Sequence, residues 1–140
     1  MKEEIRLPEH LSDCIRLALE DEEKAFKSPL YQMDMETYHE SSVRGEPCHV
    51  CFAGSVMAGT LKQSDSLCLE PQDFDTNTEA RLKALDKIRK GDIAGALSTM
   101  NIPLLSKSKR FIGITPYQID RDEWREHMLV IANHLQAEGL

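Results

Sequence analysis

The sequence predicts a mainly α-helical fold: a compact bundle of four to five helices around a central small-residue helix. Three observations predict it. Apolar residues recur at three- and four-residue spacing in several separate stretches, the period of a helix with one buried face. Residues that start and stop helices flank those stretches. Between them lies a segment almost free of charge and rich in Ala, Gly and Ser. Composition agrees, with 41 % hydrophobic and 29 % charged residues among 140, near the globular norm. Aromatic residues make up 6 %, so the core must be built mainly from Leu, Ile, Val, Met and Ala.

The first helix is predicted from about Pro8 to Phe26. Proline suits a first helical turn because its missing N–H has no partner to lose there. Leu11, Cys14, Ile15, Ala18 and Leu19 form its inward stripe, and Ser28-Pro29 ends it, since the residue before a proline avoids helical geometry. Tyr31, Met33 and Met35 then alternate with Gln32, Asp34 and Glu36, the period of a strand. Ser41, Ser42, Gly45 and Pro47 mark a loop.

Cys48 to Leu61 reads CHVCFAGSVMAGTL and is predicted as the central helix. A helix that is apolar nearly all round is usually buried. Each glycine costs about 1 kcal/mol against alanine in a helix interior, so a close approach by a neighbouring backbone is expected there. Thr76 to Glu79 fits a capping box ahead of a third helix, with Asp75 also available as a cap. Leu82, Leu85 and Ile88 face inward; Arg81, Lys83, Asp86, Lys87, Arg89 and Lys90 are expected outward, and Gly91 is a helix stop. Asp92 caps a short fourth helix to about Met100, burying Ile93, Ala96, Leu97 and Met100. Residues 103–118 read as extended. Phe111, Ile112 and Ile114 leave open a minor two-stranded β element between residues near 31–36 and 110–115. Asp120 caps the last helix, with Glu123 three residues on and Trp124, Met128, Ile131 and Leu135 inward, ending near Gly139. No internal repeat or low-complexity linker divides the chain, so residues 1–140 are read as one domain.

Twenty-four acidic and 17 basic residues give a net charge of −7. Such a chain has no general attraction to nucleic-acid backbones or anionic membranes. The acidic residues concentrate in Glu20 to Glu23 and in Glu70 to Asp75. They serve solubility or form an acidic face that docks on a basic partner. Apolar runs fall far short of the roughly 20 residues that span a bilayer, and no signal-peptide core follows Met1-Lys2-Glu3-Glu4. A cytoplasmic location is expected, with Cys14, Cys48, Cys51 and Cys68 reduced.

Cys48 and Cys51 form C-x-x-C, with His49 between them and His39 and Cys68 nearby. At helical spacing the two thiols share a face and could give two ligands to a tetrahedral zinc, completed by His39 or Cys68. Structural zinc sites usually show a second close ligand pair, which is missing here. A redox pair of thioredoxin type needs a preceding strand and a parallel sheet, and the sequence offers neither. The plain alternative is that the thiols are small apolar core residues. His127 and His134, with Glu123, Arg125 and Glu126, could line a polar surface of the last helix. Lys107-Ser108-Lys109-Arg110, extended by Lys83, Lys87, Arg89 and Lys90, could touch phosphate, but a short basic run in an acidic chain is a weak signal. No phosphate-cradling glycine loop and no nucleophile elbow is present, so no catalytic residue is assigned.

Met33-Asp34-Met35, Tyr38-His39, a short Gly/Pro loop and then Cys48-x-x-Cys51-Phe52-Ala53-Gly54-Ser55-Val56-Met57-Ala58 resemble small uncharacterised proteins of tailed bacteriophages and prophages. Those carry a D-M-x-x-W-H-like stretch before a C-x-V-C-x-A-G-x-V-M-A-like helix; Tyr38 stands here in place of the tryptophan. The resemblance implies a phage origin, and with it the bacterial host cytoplasm, but no activity and no site residue.

The expectation is therefore a non-enzymatic phage accessory protein that binds a host or phage protein, one version being an acidic inhibitor of a nucleic-acid-binding host system. No cofactor is expected. The rivals are a small zinc-binding or thiol-dependent enzyme centred on Cys48, Cys51 and His39, and a nucleic-acid-binding module. Homodimerisation is left open.

Overall fold

The computed structural model describes residues 7–29, 31–33, 39–40, 48–61, 71–102 and 120–140, with the backbone alone at 33, 39, 40, 48 and 49. Mainly helical, the described residues form five α-helices: α1 (Leu11–Lys27), α2 (Phe52–Ala58), α3 (Thr76–Arg89), α4 (Ile93–Thr99) and α5 (Arg121–Ala137). Three short strands, β1 (Tyr31–Met33), β2 (His39–Glu40) and β3 (Cys48–Val50), pair in the order β1-β3-β2. Among the described residues no helix is long and apolar enough to cross a membrane.

α1 begins three residues later than the sequence predicts, because the Pro8 carbonyl serves other groups. It accepts from Arg81 Nε at 2.7 Å and from the Cys14 thiol at 3.1 Å. The helix stops before Ser28-Pro29 as expected, with Ser28 in extended geometry. Its buried stripe is Leu11, Cys14, Ile15, Ala18, Leu19 and Ala25.

The segment expected to be helical from Cys48 starts instead as a strand. β3 pairs in parallel with β1, Tyr31 opposite Cys48 and Met33 opposite Val50. It pairs antiparallel with β2, His39 opposite Val50 and Glu40 opposite His49. The partner of the 31–33 strand is thus β3; the strand expected at 110–115 lies outside the described residues. Helix begins only after Cys51, whose backbone is extended and whose sulfur accepts from the Gly54 N–H at 3.3 Å. This contact satisfies one of the donors that a helix start leaves free.

α2 is central, as its composition predicts: Phe52 through Met57 are all buried, against α1, α3 and the strands. At its end Gly59 makes the close approach that a glycine permits, though to a side chain. A Cβ there would lie 2.6 Å from Asp21 Oδ1.

Asp75 rather than Thr76 caps α3, its carboxylate accepting from the Thr78 N–H at 2.9 Å. α3 ends in a Schellman turn. Gly91 at φ 86° donates to the Ile88 carbonyl, and Asp92 N–H returns to the Lys87 carbonyl. Asp92 then caps α4 through the Gly95 N–H at 2.8 Å, and Asp120 caps α5 through the Glu123 N–H at 3.0 Å. α5 runs antiparallel to α1. Arg121, at its start, meets Glu22 near the end of α1, and Asn133 and Gln136, near its end, accept from Arg16. Trp124 packs edge-on against Phe52 at 5.2 Å between ring centres, which ties α5 to α2 in one hydrophobic cluster.

Candidate functional site

The strand–helix junction at Cys51 holds the chemistry-bearing residues of the C-x-x-C segment. Cys51 is 1 % exposed. Its carbonyl accepts from Ser55 Oγ and from Ser55 N–H, both at 2.8 Å. Burial pushes its thiol up to about 11, against the lowering effect of the Gly54 N–H. Cys14 is pushed up to about 12 for the same reason, with Arg81 opposing. Both described thiols are therefore protonated at neutral pH, the opposite of what a nucleophile or a redox thiol needs.

The expectation that Cys48 and Cys51 share one helical face is corrected: Cys48 stands in β3 and Cys51 at the cap of α2, because the chain pairs as a strand up to Val50. The same pairing brings the backbone of His39 opposite Val50, between the two cysteines in sequence. Cys68 lies outside the described residues. Among the described residues, no group of three or more His, Cys, Asp or Glu could hold a metal ion.

The acidic run Glu20 to Glu23 is split: Glu20 is exposed and Glu23 half-buried, while the two residues between them turn inward. Asp21 and Glu22 are 3 % and 0 % exposed. Glu22 accepts from Arg121 Nε at 2.7 Å and from an Arg125 terminal nitrogen at 2.7 Å. Arg121 also reaches Glu23 at 2.7 Å and lies 3.7 Å over the Phe26 ring. Arg125 further donates to the Leu19 carbonyl at 3.0 Å. Hydrogen bonds from Arg121 and Lys27 hold Glu23 down to about 2. Burial lowers Arg121, but its bonds to Glu23 and Glu22 outweigh that and raise it. Asp21 instead faces the turn after α2, where one oxygen accepts from Thr60 Oγ1 at 2.6 Å and Thr60 N–H at 3.3 Å. Burial raises Asp21 despite those two bonds. Sequence reasoning missed this network. Its available signal was Glu22 falling in register with Leu11, Ile15, Ala18 and Ala25, positions that face the core.

The basic side of α3 is spent in the same way. Arg89 and Asp86, both expected outward, are buried at 5 % and 8 % exposure. Arg89 Nε donates to Asp86 at 3.1 Å, and Lys90 adds an ion pair at 3.1 Å. Burial pushes Asp86 up, but these cations win and hold it below its ordinary range. Lys83 pairs with Glu79 at 2.7 Å, and Lys87 lies 3.9 Å from Asp92. Residues 107–110 lie outside the described residues.

What α5 leaves outward is different in kind. Its arginines turn in to α1, while Asp122, Glu123 and Glu126 stay exposed and make no ion pair among the described residues. They lead along one side of the helix to Leu129 and Val130, which are 43 % and 45 % exposed. His134 is exposed near this side, and His127 is half-buried. The arrangement offers contact area and negative charge. Comparison with known proteins finds no family, no curated relative and no solved structure that matches the chain.

Proposed function

We propose that the protein is a non-enzymatic accessory protein, of the phage or prophage kind its central motif resembles, that acts in the host cytoplasm by binding a host or phage protein. The observation that carries this reading is the division of charge across α5. Arg121 and Arg125 are committed to Glu22 and Glu23, and the opposite side presents Leu129 and Val130 beside the carboxylates of Asp122, Glu123 and Glu126. Apolar contacts beside a charged rim are the anatomy of a transient protein interface, and the sign of the charge favours a basic partner surface. The protonated, buried thiols of Cys14 and Cys51 supply no nucleophile to set against it.

The test is capture from a bacterial host lysate on immobilised protein, run beside Leu129→Asp and Val130→Asp. Both positions are exposed, so either change is expected to leave the fold intact, which circular dichroism of each variant checks. A host protein retained by the parent chain and lost by both variants supports the reading. Equal retention by the variants, or no retained protein across several ionic strengths, overturns it.

A zinc- or thiol-dependent role is the second reading, favoured by one observation: pairing of β2 with β3 carries His39 alongside the strand that leads into Cys51. Nucleic-acid binding draws less support, since Lys83, Lys87, Arg89 and Lys90 already face carboxylates.

A further inference from the structure

No further inference is drawn: the strongest candidate, the side-chain pair Trp124 and His127 one turn apart on α5, whose Nε1 and Nε2 atoms are buried with no hydrogen-bond partner among the described residues, carries nothing because nothing in the structure shows what group covers them.

Discussion

Glu22, wholly buried on α1, holds Arg125 of α5 at 2.7 Å through one carboxylate oxygen, while its other oxygen holds Arg121 at 2.7 Å. One acid thus fixes two cations from a helix about 100 residues away in sequence. Removing the acid leaves Arg121 with Glu23 alone and takes from Arg125 its nearest carboxylate. Glu22→Ala is expected to lower unfolding free energy by about 1–3 kcal/mol, the range of hydrogen bonds to a charged group, since Arg121 and Arg125 are partly exposed and keep other acceptors. Replacing Glu22, Arg121 and Arg125 together with Leu or Met is expected to recover most of that, because no charge is then left without a partner. Urea denaturation of both variants checks this. A Glu22→Ala loss below about 1 kcal/mol, the ordinary value of an exposed pair, would show that the network is open to water.

Asp21 and Gly59 are coupled by contact. Gly59→Ala in an unstrained turn would normally be neutral or stabilising. Here the new methyl meets Asp21 Oδ1 at 2.6 Å and Cγ at 2.8 Å, and that carboxylate is pinned by Thr60. A loss of about 1–3 kcal/mol is expected, as for overpacking elsewhere. Shortening the obstruction with Asp21→Ala should remove most of the Gly59→Ala penalty, giving a non-additive double-mutant cycle. Additive losses would mean that the two residues do not touch.

Asp21 and Glu23 should respond to pH with opposite signs. Burial raises Asp21, so the stability it contributes is complete below the ordinary carboxylate range and is lost as pH rises through its folded value. Asp21→Asn, which keeps an acceptor for Thr60, is therefore expected to be at least as stable as the parent at pH 7 and to lose that advantage near pH 3. Denaturant midpoints at the two pH values measure it; a variant less stable at pH 7 would reverse the assignment.

Arg121 and Lys27 hold Glu23 down to about 2, so its contribution is present above 4.5 and fades as pH falls toward 2. Glu23→Gln should flatten that acid limb. The difference between parent and variant should shrink as salt is raised, because Glu23 sits at the surface. An unchanged acid limb would locate the acid sensitivity elsewhere, with Asp86 as the next group to replace.

The two described thiols give a direct check on the cysteine helix. In the native protein, Cys14 and Cys51 are expected to resist a thiol reagent at pH 8 and to react on unfolding, since burial keeps both protonated. Metal analysis on the same sample is expected to find no stoichiometric zinc. One zinc per chain, with Cys51 reactive once the metal is chelated, would transfer the function to the second reading and start a ligand search at Cys48, His39 and Cys68.

Helices were legible in the sequence wherever a local rule decides them. Asp92 and Asp120 cap where their spacing to Gly95 and Glu123 says they should, Gly91 closes α3, and the stripes of α1, α3 and α5 are buried. Each depends on residues within a turn or two, so composition and period suffice. The central position of α2 was legible for the same reason: a segment without charge has no side to give to water. The candidate site was legible in its residue types and not in its geometry.

Tertiary structure alone decided three things. It turned Cys48–Val50 into a strand, because β1 and β2 supply backbone partners that no local pattern announces. It sent Asp21 and Glu22 inward out of an acidic run that reads as solvated, because Thr60, Arg121 and Arg125 arrive from distant elements to satisfy them. It left Leu129 and Val130 outside, because α5 has one side for α1 and the core and no described neighbour on the other. A sequence states which side chains need burial or a partner; which partner comes within 3 Å depends on how far-apart segments pack, and that is where the charge of this protein acquires its arrangement.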